Sequence, residues 1–215
     1  TMGRPAMVSP VLYQDSGRTS LDGVGDSLSI WGIAWRNGYG HHPEILPDRA
    51  FSEVFSPTGA AALYRREAYE TAGGFDADFF CYLEDIDLAI RMRAMGGRCL
   101  LVHAATGRHV GGHSTQDLPG FAMTHTVRNS PLMIGGSLPA PLNWGMGVFY
   151  RLGQYILQRR ALRSGSPRDQ AIAQFRRDGF ALARDRRHLI DKKRKSHPRY
   201  PFMASMRLAR RLHWG

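Results

Sequence analysis

The chain is 215 residues long and 43% hydrophobic, with 29 Lys+Arg against 18 Asp+Glu for a net charge of +11. That apolar content can bury one core. Cys81 and Cys99 lack C-x-x-C spacing, so neither a disulfide framework nor a structural zinc site is indicated, and both read as buried free thiols in a reducing cytoplasm. In chain order, Ala6 to Tyr13 reads as a strand that gives way to a D-x-G-R turn. Asp22 and Asp26 follow in a Gly-Ser loop, and Trp35 to Asp48 reads as irregular. His41 and His42 adjoin a proline there. Adjacent histidines point different ways in most backbones, which favours surface loop residues over metal ligands.

The stretch SPTGAAALYRREAYETAGGFD reads as a small-residue strand, Gly59 to Tyr64, then a short helix from Arg65 that ends at Gly73-Gly74. A glycine-aspartate turn and an aromatic run follow, and they lead to Glu84, Asp85 and Asp87 in the first turn of a helix. Along IDLAIRMRAM, Leu88, Ala89, Met92 and Met95 share one buried face, Arg91 and Arg93 fall elsewhere, and Gly96-Gly97 is the stop. The acids read in two ways. They are caps and dipole partners, or they are carboxylates at the border of packed aromatics and solvent, tuned to accept a proton. Arg98 to His103 reads as a strand, followed by a loop carrying His109 and His113 between glycines. The order strand, helix, acidic helix, strand, His loop predicts an α/β sheet with its chemistry at strand and helix ends.

Ser130 to Tyr150 has no charged residue. It is long enough to span a bilayer, but its three prolines and four glycines break a membrane helix, so it reads as a hinge or interfacial segment. Trp144, Phe149 and Tyr150 fit either headgroup level or packing against the domain. Charge divides sharply here: residues 1–150 carry net −3 and residues 151–215 net +14. Pro167 to Ile190 reads as a helix with Ile172, Phe175, Leu182 and Leu189 near one face and arginines around it. The KKRK run Lys192–Lys195 and a second helix, Phe202 to Leu212, follow. Such a basic amphipathic tail suits an anionic membrane surface, or it is simply solvated. It has no groove-reading motif or aromatic platform, which argues against nucleic acid. No signal-peptide pattern opens the chain.

Taken together, the motifs from Gly59 to Gly112 resemble the inverting, nucleotide-sugar-dependent glycosyltransferases of family 2, which have a GT-A fold, and especially rhamnosyltransferase-like members that build bacterial surface polysaccharides. The resemblance lies in the shared order of a Gly-Ala strand, an R-R-E-A helix start, a G-G-F-D turn, an F-F-x-Y-x-E-D-x-D-L block and an H-x-G-G loop. It implies a partial GT-A-like, Rossmann-related α/β sheet with flanking helices, followed by a basic, mainly helical extension. The expected divisions are 1–129 for the acceptor-side half, 130–150 for the uncharged segment and 151–215 for the tail. By resemblance, Asp85 is the general base toward the acceptor hydroxyl, with Glu84 and Asp87 in support, and Gly59, Arg128 and Asn129 lie on the acceptor side. Packing or capping is an equal reading of the last two.

His109 matches the first histidine of the loop, which in some relatives helps bind a divalent metal. A local hydrogen bond is the other reading, and Val110 stands where a second histidine is usual. The family's Asp-x-Asp motif, which holds Mg²⁺ or Mn²⁺ and the nucleotide diphosphate, is expected in a donor half absent from this sequence, as Asp22 and Asp26 do not match it in context. The implied partners are a nucleotide-sugar donor, a glycan or polyprenyl-linked acceptor and the inner face of the cell membrane. A noncatalytic acceptor- or membrane-binding module is the competing expectation.

Overall fold

The computed structural model describes residues 5–111, 117–138, 142–185 and 187–196. Its strands are β1 (Met7–Tyr13), β2 (Leu21–Gly23), β3 (Asp26–Leu28), β4 (Ala34–Arg36), β5 (Phe51–Val54), β6 (Leu63–Tyr64) and β7 (Cys99–Arg108). Its helices are α1 (Arg66–Thr71), α2 (Glu84–Ala94), α3 (Phe121–Ser137), α4 (Leu142–Ser164), α5 (Pro167–Asp185) and α6 (Arg187–Ser196). A mixed sheet runs in the order β2-β1-β7-β5, with β6 also on β1, and β3 and β4 form a separate hairpin. The chain is therefore α/β. Only β1 and β7 are parallel. Pro10 in β1 cannot donate to a ladder, and the register with β7 shifts there, from Pro10 opposite Val102 to Val11 opposite Thr106.

Several elements differ from expectation. The strand expected over Gly59 to Tyr64 contracts to β6, because Ala61 N–H turns back to the Thr58 carbonyl. The strand expected to end at His103 continues to Arg108. Arg91 and Arg93 are buried, at 0% and 5% exposure, whereas Met95 is exposed. The cause is that α2 packs within one core formed by Met7, Cys99 and residues of α3, including Leu132 and Met133, and is covered on several sides. Its arginines therefore end on protein groups. Arg93 Nε donates to the Phe55 carbonyl at 2.5 Å, and its NH2 group donates to the Val54 carbonyl.

The uncharged segment is helical over 130–137 and 142–150, and α3 carries Pro131 in its interior. An interior proline costs about 3 kcal/mol, but burial of Leu132, Met133 and Ile134 at roughly 1.5–3 kcal/mol each outweighs it. The expected Pro167–Ile190 helix is divided into α5 and α6. Both pack on α3. A Cβ on Gly179 would lie 2.7 Å from the Thr124 carbonyl oxygen, and one on Gly136 would lie 2.5 Å from Lys193 Cδ. The basic segment is thus built into the fold at these helices. His113 and the expected helix Phe202–Leu212 lie outside the described residues.

Candidate active site

Helix α2 starts from Leu83, which has φ 69° and supplies no side-chain cap, so the first turn offers backbone N–H groups to its own acids. Asp85 uses two donors. Ile86 N–H reaches Oδ1 at 2.8 Å, and Gly59 N–H, from across the cleft, reaches Oδ2 at 2.9 Å. A Cβ on Gly59 would sit 2.9 Å from that same oxygen, so a larger residue there would push the carboxylate from this position. Asp85 lines an open cleft of about 510 Å³ with Glu84, Gly59, His109, Trp35 and Tyr82.

The cleft is crowded with carboxyl groups. Burial raises the Asp85 pKa, opposed by the N–H groups of Ile86 and Gly59 and by the Arg36 guanidinium. Asp26, from β3, is pushed up to about 8 by burial and then by the Asp85 charge, against the pull of Arg36 and a 3.2 Å hydrogen bond from Thr58 Oγ1. The Glu84 pKa is also raised, by burial and then by Asp85, and its Oε2 is buried without a hydrogen-bond partner among the described residues. At neutral pH this arrangement holds a proton on Asp26 beside an Asp85 whose charged form has the backbone donors.

His109 follows β7 and joins the cleft at the carboxyl ends of the parallel pair, its N–H donating to the Tyr13 carbonyl at 2.9 Å. Its Nδ1 lies 2.8 Å from Oδ2 of Asp22, which also takes Arg36 at 2.9 Å. A carboxylate accepting there places the proton on Nδ1 and leaves Nε2 as the free imidazole nitrogen. That is the orientation a metal-binding histidine needs. Three or more His, Cys, Asp or Glu placed to hold a metal do not occur among the described residues. The residues present therefore fit one ligand with its supporting carboxylate, and not a complete site.

Arg128 and Asn129 point to the segment before α2 and are absent from the cleft lining. Asn129 Nδ2 donates to the carbonyls of Phe79, Cys81 and Tyr82 at 3.1, 2.8 and 2.8 Å, and Arg128 NH1 donates to the Phe79 carbonyl at 2.9 Å. That segment needs fastening, since Phe80, Tyr82 and Leu83 all have positive φ. Asp87 faces away from the cleft as well. It is fully buried and paired with Arg91 NH2 at 2.9 Å and Lys193 Nζ at 2.9 Å, and Ser137 Oγ donates to its other oxygen.

The structure therefore brings Asp85, Glu84, Gly59 and His109 together and places Asp87, Arg128 and Asn129 behind them. It also adds Asp22, Asp26 and Arg36. The expectations of a Gly-Ser loop at Asp22 and Asp26 and of an irregular stretch from Trp35 overlooked these three, because they occupy β2 and the β3–β4 hairpin, where Asp26 pairs with Arg36 in register. The available signal was a short apolar alternation around Leu21 and Leu28 with a Trp-Gly turn between two extended runs.

Comparison with known proteins gives a partial match. The chain is 28% identical over 123 residues to two curated proteins from Mycobacterium tuberculosis, strains CDC 1551 / Oshkosh and ATCC 25618 / H37Rv. Both are named N-acetylglucosaminyl-diphospho-decaprenol L-rhamnosyltransferase. The match takes in 55% of this chain and 40% of the length of each relative. It supports a relationship to glycosyltransferases. No family model matches the chain.

Proposed function

We propose that this chain forms the acceptor-side half of an inverting, GT-A-type glycosyltransferase. It moves a sugar from a nucleotide-diphosphate donor to the hydroxyl of a glycan or polyprenyl-linked acceptor in cell-surface polysaccharide synthesis, at the cytoplasmic face of an anionic membrane. The carrying observation is the Asp85 carboxylate, held by Gly59 and Ile86 N–H groups at the wall of an open cleft. The partial similarity to rhamnosyltransferases, named for a diphospho-decaprenol acceptor, agrees with this reading.

A sugar hydroxyl is a poor nucleophile at neutral pH. Asp85 accepts its proton as the oxygen attacks the anomeric carbon, and the bond from that carbon to the diphosphate oxygen breaks with its electron pair on the leaving group. Attack from the opposite face inverts the centre without a covalent enzyme intermediate. The raised pKa makes Asp85 a stronger base than an ordinary aspartate, while its two N–H donors fix the direction of its lone pairs. Asp26, protonated up to about pH 8, is a donor in the same cleft. Trp35 and Tyr82 provide flat walls for a sugar ring.

A divalent cation, Mg²⁺ or Mn²⁺, when bound would neutralise charge on the departing diphosphate. His109 Nε2 would contribute one ligand with Asp22 steadying the ring, and an Asp-x-Asp segment and the diphosphate would provide the rest. Asp85→Asn in the complete enzyme tests the assignment. Turnover is expected to fall by about 10²–10⁴ with folding intact, and retained turnover in a folded variant removes Asp85 as base.

A further inference from the structure

Helix α4 presents an outward face that the described residues leave exposed. Trp144, Val148, Phe149, Leu152, Tyr155 and Ile156 are all exposed, Trp144 at 76% and Leu152 at 53%. Steps of four, four and three residues place Trp144, Val148, Leu152 and Tyr155 on one stripe, while Met146, Tyr150 and Ala161 face inward. The only charged residues from Leu142 to Ser164 are Arg151, Arg159, Arg160 and Arg163, and all four are exposed. A face that meets only water would carry polar side chains and charges of both signs. This one combines large apolar groups with a single sign of charge.

The tip of the β3–β4 hairpin extends the patch. Trp31 meets Phe149 edge-on at a centroid distance of 4.5 Å. A groove of about 290 Å³ runs between the tip and α4, walled by Trp31, Ile33, Phe149, Leu152, Ile156 and Leu157. Gly32, at φ +74°, allows the tip to close on α3, since a Cβ there would lie 2.6 Å from Ile134 Cδ1. The base of the same hairpin carries Asp26 and Arg36 into the Asp85 cleft. Patch and cleft are thus two ends of one short element.

We propose that α4 and the Trp31–Ile33 tip form a docking face for an anionic phospholipid surface, one that brings the Asp85 cleft to headgroup level. Charge selects this occupant. Tryptophan, tyrosine and arginine suit the interface, with Leu, Val and Ile entering the acyl boundary and the guanidiniums meeting lipid phosphates. A second copy docked through the same face would bring the arginines of both copies to the interface with no α4 carboxylate to pair them. Among the described residues no helix is long and apolar enough to cross a membrane, so contact through this face lies in the plane of the surface. Lipid binding does not depend on the chemistry of the cleft and is read without turnover.

The test is co-sedimentation of the full chain with vesicles of phosphatidylglycerol and phosphatidylcholine at equal parts, against vesicles of phosphatidylcholine alone. Wild type is expected to bind the anionic vesicles, and to bind them less as salt is raised. The double substitution Trp144→Ser with Leu152→Ser, at exposed positions and with an unchanged melting curve, should lower partitioning at least ~10-fold. Arg159→Gln with Arg163→Gln should weaken binding to anionic vesicles alone. Undiminished binding by the Trp144/Leu152 variant overturns the proposal, as does failure of wild type to bind. So does a concentration-dependent dimer that Trp144→Ser dissolves in the absence of vesicle binding, since that result would make a second copy the occupant.

Discussion

Asp85 and Asp87 stand two residues apart on α2 and have opposite fates. Asp85 looks into the cleft, is half-buried, and is held by two backbone N–H groups with Arg36 as a more distant cation. Asp87 looks into the core, where Arg91, Lys193 and Ser137 converge on it and Lys193 also binds Asp76 at 2.6 Å and lies 4.4 Å from the centre of the Phe79 ring. One carboxylate is left under-neutralised and open to a substrate, and the other is enclosed by cations. The difference follows from helix geometry, because side chains two positions apart project to different sides. A motif with several acids can therefore divide its work, with one residue placed at a cleft for the proposed chemistry and its neighbour anchoring the helix that carries it.

The widest separation should come from removing each charge in turn. Asp85→Asn is expected to keep its melting temperature while turnover falls by about 10²–10⁴. Asp87→Asn and Lys193→Met are expected to lower stability by about 3–5 kcal/mol in urea unfolding, because each leaves a buried charge short of a partner. Equal stability loss at both aspartates would erase the contrast.

A pH series sharpens the cleft side. Asp26 has a folded pKa of about 8 against about 3.9 for an unfolded aspartate, so the folded state retains a proton that the unfolded chain has released. Its contribution is fully present below about pH 4 and is lost as pH rises to about 8. Asp26→Asn should flatten that decline, by about 2–3 kcal/mol across the window once screening in an open cleft is allowed for. The comparison is made by urea unfolding at several pH values, and parallel curves for wild type and variant would show that Asp26 does not hold this proton.

Much of this layout was legible beforehand. Local signals identified β1, the start of α2 and the β7 strand, since caps, glycine stops and strand runs act over a few residues, while the association of Asp85 with the His109 loop was implied only by the family resemblance. Long-range burial was not legible. Arg91 and Arg93 read as lying off the buried face and Lys193 as part of a membrane-facing or solvated basic tail, whereas their burial depends on carbonyls and carboxylates contributed by distant segments. Asp22 and Asp26 read as loop residues outside an Asp-x-Asp context, because only the pairing of β2 with β1 brings Asp22 to His109 and only the folded β3–β4 hairpin brings Asp26 to the Asp85 cleft.

The smallest effects concern the segment 79–83 before α2, which forms the lip of the Asp85 cleft. Asn129→Ala removes the amide shared by three carbonyls and should cost about 1–2 kcal/mol, with turnover reduced as the lip loosens. Phe80 tests the same lip from the other direction. It has φ 64° and ψ −66°, and Cys81 N–H donates to the Phe79 carbonyl at 2.8 Å, which together make a γ-turn of the rare, strained hand. Its side chain is 75% exposed, so little packing opposes its removal. Phe80→Gly should therefore raise stability by up to ~1 kcal/mol, because glycine adopts this backbone without the Cβ penalty, partly offset by its greater freedom in the unfolded chain. If the strain serves to hold Tyr82 and Glu84 at the cleft wall, the more stable variant should also turn over more slowly. A gain in both properties would show that the Asn129 clamp alone sets the lip.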